Sequence, residues 1–228
     1  MIHCQKCNDN HYFMTEDGAI PCECVKEINR KEYIRNSQIP PLFRDKEWKD
    51  VNASCAELKK ICRQCLNYAK NFNISRENKT TKGLLLQGGV GRGKTLIACL
   101  IAKMVIDKVI PVVYYNISNL FKNLRNSYRK RDINQYDYDD IMDKVLEVPL
   151  LILDDVGATK TSEWTTEQFY LIIDNRLANQ RPVIITTNCS DDELENRIGY
   201  RFLSRTRELC EKITFPDDKI KDYRLVGI

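Results

Sequence analysis

Eight consecutive residues near the middle of the chain match the phosphate-binding pattern G-x-x-x-x-G-K-[ST] at every position. With the leucine that follows, the residues of this phosphate loop are Gly88, Gly89, Val90, Gly91, Arg92, Gly93, Lys94, Thr95 and Leu96. Glycines here let backbone N–H groups turn inward around a polyphosphate, and the following helix adds partial positive charge from its N-terminus. In such a loop Lys94 reaches the β- and γ-phosphates, and the Thr95 hydroxyl ligates Mg²⁺. A glycine-rich turn that binds nothing is the alternative, and the strand-like and helix-like flanks disfavour it.

Two acidic residues and an amide follow apolar runs further along the chain. Asp154 and Asp155 come directly after LLIL at 150–153, and Asn188 comes after VIITT at 183–187. Because the carboxyl ends of parallel strands meet at one edge of a sheet, we expect all three side chains beside the phosphate loop. There Asp154 would hold Mg²⁺ through its water shell, and Asp155 would orient a water molecule for attack on the γ-phosphate. Asn188 would hold that water or sense the phosphate, with a strand-end cap as the alternative.

The elements that position these groups alternate between strand and helix patterns. KGLLLQ at 82–87 predicts a buried strand before the loop, and the apolar run 96–106 predicts a buried helix after it. Further strands are predicted at 111–117, 150–153, 182–188 and 213–215. This alternation predicts an α/β domain with a parallel sheet.

Capping patterns indicate where later helices begin. Thr165-x-x-Gln168 is expected to start one helix, and Asp191 is expected to cap another. Beyond it, Arg197, Arg201 and Arg205 recur every four residues, which predicts that they share one helical face. Arginine suits the charge that develops on a transferred phosphoryl group.

Four cysteines near the N-terminus form two close pairs. They are Cys4 and Cys7, then Cys22 and Cys24 after a short loop. Four thiolates in this arrangement suit a tetrahedral Zn²⁺ site, which would supply folding energy that so short a segment lacks. Four unligated thiols are the alternative. A second C-x-x-C pair, Cys62 and Cys65, lies on the apolar face of a predicted helix, so burial there is favoured over metal or redox chemistry.

Composition bounds the remaining possibilities. The chain has 228 residues, 43% hydrophobic and 30% charged, which fits one α/β domain with a small appendage. The formal charge of +4 permits contact with nucleic acid without arguing for it. Ten cysteines could suggest disulfides, but the phosphate loop indicates an ATP-rich, reducing compartment, where clustered cysteines more often bind metal. With polar first residues and no long apolar run, we expect no signal peptide, no membrane partner and a cytoplasmic location.

Two stretches have two interpretations each. The prolines at 40 and 41 mark a boundary between residues 1–38 and 39–228, and Phe43 beyond them could pack on adenine or fill the core. The basic stretch 125–131, with Tyr128 inside it, could hold single-stranded nucleic acid or form a solvated helix end.

The order and spacing of these motifs resemble the AAA+ ATPases of the bacterial replicative helicase loader group, the DnaC/DnaI-like proteins related to the IstB-like transposition ATPases. The resemblance is carried by LILDDVGA at 151–158, SEW at 162–164, IITTN at 184–188 and IPPLFR at 39–44. The cysteine-rich start is similar to the zinc-bearing N-termini of some loaders.

The resemblance implies a fold and roles for single residues. The fold is a parallel five-stranded sheet in the order 5-1-4-3-2 with helices on both faces, preceded by a small zinc-binding module in residues 1–38. Asn188 matches the residue called sensor 1. Arg205 matches an arginine finger that acts in trans on ATP held by a neighbouring subunit, and Arg224 matches the sensor 2 arginine, which acts in cis.

The resemblance also implies a function. The protein would hydrolyse ATP slowly, as a switch, because Asp155 replaces the glutamate of many AAA+ motors. With ATP bound it would assemble into a ring or spiral, bind single-stranded DNA and deliver or regulate a replicative helicase. The alternatives are an IstB-like transposition ATPase and a low-turnover helicase adaptor or inhibitor.

Overall fold

The computed structural model describes most of the chain. The described residues are 4–15, 17–53, 55–73, 82–129, 138–158, 162–220 and 222. Arg224 lies outside them, and so do residues 130 and 131 of the basic stretch.

The N-terminal segment folds into a hairpin followed by a helix. Strands β1 (Tyr12–Thr15) and β2 (Gly18–Pro21) pair antiparallel, with Phe13 opposite Ile20. Helix α1 (Glu23–Asn36) begins directly after the hairpin and has no fully buried residue. Every residue of both strands is exposed, so the hairpin contributes no apolar core.

A connecting region joins this segment to the sheet. It contains α2 (Pro41–Arg44), a 3-10 helix (Trp48–Asp50) and α3 (Ala56–Asn71). The carbonyl oxygen of Ser37 accepts the backbone N–H of Tyr114 at 2.8 Å, which places the link between α1 and α2 beside an outermost strand of the sheet.

Five parallel strands form the central sheet in the part of the chain that is described. They are β3 (Gly83–Gly88), β4 (Val112–Asn116), β5 (Leu150–Asp154), β6 (Val183–Thr187) and β7 (Cys210–Phe215). Their order is β4-β5-β6-β3-β7, so the strand before the phosphate loop lies between β6 and β7. Counted from β3, this is 5-1-4-3-2, and the predicted fold is confirmed.

Six helices connect and cover the strands in the same part of the chain. They are α4 (Lys94–Asp107), α5 (Ile117–Arg129), α6 (Tyr138–Glu147), α7 (Glu163–Ala178), α8 (Asp191–Ile198) and α9 (Tyr200–Leu209). None of the described helices combines the length and apolarity needed to cross a membrane.

The sheet separates two apolar cores because successive strand side chains point to opposite faces. On β3, Leu84 and Leu86 pack into the core covered by α3 and α4, whereas Leu85 packs into the core on the other face. The same alternation occurs on β5, where Ile152 and Leu153 lie in different cores. Burial on both faces explains why these strands are apolar at nearly every position.

Two predicted helix starts were wrong by a few residues. Helix α7 is capped by Ser162, whose Oγ accepts the Thr165 N–H at 3.3 Å, so Thr165 is the third residue of the helix rather than its cap. Helix α8 is capped by Ser190, whose Oγ accepts the Glu193 N–H at 3.2 Å. Asp191 is therefore the first helical residue, and its carboxylate has other partners.

Candidate functional site

The phosphate loop joins the carboxyl end of β3 to the first turn of α4. Gly93 has a φ of 84° directly before Lys94, and a residue with a Cβ would be strained there. A Cβ at Gly88 would lie 2.4 Å from the carbonyl oxygen of Phe215. The backbone geometry therefore requires glycine at both positions. The loop continues directly into the N-terminus of a long buried helix, where backbone N–H groups favour an anion.

Lys94 is buried beneath the loop. Its Nζ donates to the carbonyl oxygens of Gly88 at 2.6 Å and Gly89 at 2.5 Å, and to Oδ1 of Asn188 at 2.6 Å. An ammonium group has three N–H donors, so each one has an acceptor. Burial lowers the pKa of Lys94 to about 8, although nearby carboxylates act in the opposite direction.

Asp154 ends β5 and is only 6% exposed. Its Oδ1 accepts the hydroxyl protons of Thr95 at 2.8 Å and Thr186 at 2.7 Å, and its Oδ2 accepts the Tyr114 hydroxyl proton at 2.7 Å. A threonine hydroxyl next to a carboxylate is an oxygen donor set of the kind that Mg²⁺ prefers. The two residues predicted as magnesium ligands therefore lie in direct contact.

Asp155 and Asn188 complete this edge of the sheet. Asp155 has a φ of 62°, and its backbone N–H donates to the Thr186 hydroxyl at 3.0 Å. Nδ2 of Asn188 donates to the Asp155 carboxylate at 3.0 Å, while Oδ1 of the same amide accepts from Lys94. Asn188 thus bridges the loop lysine and the second aspartate, and the predicted lysine, threonine, aspartates and asparagine all meet at one edge.

Asp217, which the sequence analysis did not single out, also contacts the loop. Its Oδ1 accepts the Gly89 backbone N–H at 2.7 Å and lies 3.4 Å from Nε of Arg92. Asp217 comes just after β7, the strand that neighbours β3. The predicted sheet order was the signal that could have found it, because residues after strand 5 must emerge beside the loop after strand 1.

Arg205 lies near the amino ends of the strands, whereas the phosphate loop lies at their carboxyl ends. It lines an open cavity of about 710 Å³ with Lys82, Pro182 and Leu209, which directly precede β3, β6 and β7. Its side chain is 46% exposed, and its Nε lies 3.3 Å from the Asp174 carboxylate. Arg205 therefore lies at the amino ends of the strands, on the opposite side of the sheet from the phosphate loop of its own chain.

The expected single arginine face is wrong, because two helices share these residues. Gly199, with a φ of 116°, separates α8 from α9. Arg197 lies in the last turn of the first helix and donates to the Gly157 carbonyl oxygen. Arg201 and Arg205 lie on the second helix, where both contact Asp174.

Asp191 links three elements behind the phosphate loop. Its carboxylate accepts from Gln87 of β3 at 2.9 Å, Arg207 of α9 at 2.7 Å and Lys212 of β7 at 2.8 Å. Burial acts to raise the pKa of Asp191, but these bonds outweigh it and hold the pKa well below its usual range.

The four N-terminal cysteines converge. Their Sγ atoms all lie within 4.8 Å of one another, with 3.8 Å between Cys4 and Cys22 and 3.6 Å between Cys7 and Cys24. Zn–S bonds of about 2.3 Å in a tetrahedron place sulfur atoms about 3.8 Å apart, so the cluster fits a metal ion. The backbone N–H of Cys7 contributes most to lowering the pKa of the Cys4 thiol to about 7, whereas desolvation raises the pKa of the Cys7 and Cys24 thiols above its usual range.

The structure partly decides between the two interpretations of Phe43 and of the basic stretch 125–131. Phe43 packs, partly buried, against the core that contains α3 and α4. In the basic stretch, the Arg125 guanidinium lies 5.0 Å from the ring centroid of Trp164 and donates to Ser162 at 2.9 Å. The side chain of Tyr128, for which the sequence predicts a nucleic-acid contact, lies outside the described part of the structure.

Comparisons with known proteins connect this geometry to a family. The sequence model described as "IstB-like ATP binding protein" matches residues 69–210. The replicative helicase loader DnaI of Bacillus subtilis is 27% identical over 135 residues, which cover 59% of this chain and 41% of DnaI. The replicative helicase loader DnaC of Escherichia coli is 21% identical over 198 residues, 84% of this chain and 77% of DnaC. The chain thus spans about two fifths of DnaI and about three quarters of DnaC.

Solved structures share the fold. The DnaC helicase loader has a TM-score of 0.69 at 24% identity, over 78% of this chain and all of that chain. DnaI has a TM-score of 0.64 at 23% identity, over 78% of this chain and 92% of that chain. DnaA from Aquifex aeolicus, bound to AMPPCP, has a TM-score of 0.64 at 15% identity, over 78% of this chain and 51% of that chain.

The family match covers more than half of the 228 residues. The chain therefore belongs to the family of IstB-like ATP-binding proteins and is a DnaC/DnaI-like AAA+ protein, as the sequence resemblance predicted.

Proposed function

We propose that this protein is an ATPase that uses ATP and Mg²⁺ to deliver or regulate a replicative DNA helicase. The observation that carries the proposal is the convergence of Lys94, Thr95, Asp154 and Asn188 at the N-terminus of α4. This convergence occurs in a chain whose relatives include proteins named replicative helicase loaders.

The phosphate loop supplies the binding step. The Lys94 ammonium is held by two loop carbonyls and by Asn188, and it would exchange these acceptors for the β- and γ-phosphate oxygens of ATP. Because the three present acceptors are one amide and two carbonyls, charged phosphate oxygens would be stronger partners for the same donors.

Hydrolysis would depend on the two aspartates. Mg²⁺, held by Thr95 directly and by Asp154 through water, would offset the charge on the β- and γ-phosphates. Asp155 would orient the attacking water, and Asn188 would sense the γ-phosphate through its contacts with Lys94 and Asp155. The short Asp155 side chain is already bonded to Asn188, which supports slow, switch-like turnover.

Completion of the site would require a second subunit. Arg205 lies half-exposed at the amino edge of the sheet, opposite its own loop, and this placement supports a role in trans on ATP bound to a neighbour. ATP binding would then favour a ring or spiral, and Arg224 would act in cis.

The cysteine module would hold Zn²⁺ and contact the helicase. Its hairpin exposes Tyr12, Phe13, Ile20 and, at 84% exposure, Met14. Exposed apolar side chains on so small a module are typical of a protein-binding surface. Single-stranded DNA would bind elsewhere, with the basic stretch 125–131 as the proposed contact.

A transposition ATPase is the second candidate, because the matched family is described as IstB-like. In that case the partner would be a transposase on duplex DNA. A low-turnover helicase adaptor would share the helicase contact but would not need hydrolysis for release.

The test is a loading assay with the replicative helicase of the protein's own host and circular single-stranded DNA. We expect ATP to increase the helicase recovered on the circles, and Lys94→Ala to remove that increase. Recovery that is equal with and without the protein would contradict the loader function. ATP-dependent retention of a transposase instead would favour the second candidate.

A further inference from the structure

The carboxylate of Asp154 is held by hydroxyl groups from three separate elements. Thr95 belongs to the first turn of α4, Thr186 to β6 and Tyr114 to β4. Only the first of these lies in the phosphate loop. Tyr114 and Thr186 are both buried, so neither contact is a chance meeting of mobile surface side chains.

The three hydroxyl donors restrict the orientation of the Asp154 carboxylate. An ionised carboxylate has about four acceptor positions, two on each oxygen. Thr95 and Thr186 occupy both positions on Oδ1, and Tyr114 occupies one on Oδ2. One position on Oδ2 therefore remains for a water molecule in the shell of a metal ion.

The direction of the Thr95 bond agrees with this count. Thr95 donates its only hydroxyl proton to Asp154, which leaves the oxygen lone pairs for a cation. The Thr186 hydroxyl also accepts the Asp155 backbone N–H at 3.0 Å, so one hydroxyl joins the side chain of the first aspartate to the backbone of the second.

We propose that Tyr114 and Thr186 are positioning residues for Mg²⁺, which fix the Asp154 carboxylate so that one acceptor position on Oδ2 faces the metal's water shell. The proposal rests on the proposed function, because it requires that Thr95 and Asp154 hold the metal of an ATP complex. Neither residue contacts nucleotide in this account, and each acts through Asp154.

Removal of either hydroxyl should weaken the metal site more than the nucleotide site. In Tyr114→Phe the ring still fills the core, but Oδ2 loses its buried donor and the carboxylate can rotate. Outer partners of metal ligands typically contribute 10- to 100-fold to metal affinity, so we expect about ten-fold weaker metal binding. Thr186→Val should act in the same direction, and Thr186→Ser, which keeps the hydroxyl, should restore binding.

The experiment measures metal binding without turnover. Mn²⁺ replaces Mg²⁺, and electron paramagnetic resonance counts the Mn²⁺ bound to the protein with a non-hydrolysable ATP analogue. Affinity for the same analogue in EDTA is measured in parallel. The matched control is Tyr115→Phe, because Tyr115 is the next residue of β4 and its hydroxyl accepts from Gln38 at 2.9 Å rather than contacting Asp154.

The expected result is weaker Mn²⁺ binding in Tyr114→Phe and Thr186→Val, with unchanged analogue affinity in EDTA and unchanged binding in Tyr115→Phe. Mn²⁺ affinity equal to the wild type in both variants would overturn the positioning role. A wild-type protein that binds no Mn²⁺ with the analogue would instead overturn the proposed function, and the inference with it.

Discussion

The phosphate-loop edge of the sheet and the cysteine module are ordered by different means. Every residue of β5 is buried, and Asp154 at its end is placed by a strand with an apolar core on each face. In the module, every residue of β1 and β2 is exposed, and Cys7 and Cys22 are the buried side chains among its four clustered cysteines. The first region has a scaffold independent of its proposed ligand, whereas the second is centred on the four sulfur atoms that are proposed to hold a metal ion.

This difference has a thermodynamic consequence. Apolar burial in the two cores would keep the phosphate-loop edge folded whether or not ATP is bound. A module of this size without an apolar core would depend on the binding free energy of the proposed metal ion, which would become folding free energy. The two regions should therefore respond independently to loss of their ligands.

Metal removal should have the largest effect. Structural zinc sites in small modules contribute about 10–16 kcal/mol, so a strong chelator should unfold the hairpin and the start of α1 and leave the sheet intact. Hydrogen exchange checks this, with faster exchange expected in β1, β2 and the start of α1 and unchanged exchange in β3. Elemental analysis should give about one zinc per chain before treatment. Unchanged exchange in the hairpin after complete metal loss would show that the module does not depend on metal.

Arg205→Ala should have the next largest effect, and only on turnover. An arginine supplied to a transferred phosphoryl group contributes about 10³-fold or more to its rate, so hydrolysis should fall by that order while ATP affinity stays nearly normal. Arg201→Ala is the matched control, because Arg201 lies one turn earlier on α9 and contacts the same Asp174.

A mixing experiment tests whether that role is in trans. Arg205→Ala subunits should recover activity when mixed with Lys94→Ala subunits, which keep Arg205 but bind ATP much more weakly. Absence of recovery in assembled mixtures would argue that the arginine does not act on a neighbour.

Asp217→Asn should have the smallest effect, and it should be a gain. The Asp217 carboxylate holds the Gly89 N–H and carries a negative charge where a triphosphate would bind. Removal of an exposed like charge should tighten ATP binding roughly two- to five-fold at low salt, and less at high salt. Titration with a fluorescent ATP analogue measures this, with Asp218→Asn as the control. Weaker binding in Asp217→Asn would show that the carboxylate supports the loop rather than competing with phosphate.

The sequence predicted the residues around the loop because those signals are local, whereas the sheet order was implied by the family resemblance. The glycines, Lys94 and Thr95 lie in one motif, and Asp154 and Asn188 each end an apolar run. Parallel strands bring such ends together whatever the details of packing. Helix starts were less accurate because neighbouring residues compete for the cap, as Ser162 and Thr165 do.

The missed partners depend on contacts between distant parts of the chain. Tyr114 lies in the apolar-looking VVYY, and nothing local indicates that its hydroxyl reaches Asp154 across the β4–β5 pair. Asp217 contacts Gly89 only because β7 lies beside β3. Arg197 and Arg201 separated because Gly199 ends one helix and begins another, although their spacing suits a single helix.

The most direct test of the central claim is ATP binding by the wild type and by Lys94→Ala, measured by calorimetry with Mg²⁺ present. Lys94 would give two or more charge-assisted hydrogen bonds to phosphate, at about 1.5–3 kcal/mol each, so the variant should bind ATP at least about 100-fold more weakly. Equal affinity in the two proteins, or no ATP binding by the folded wild type, would contradict the account.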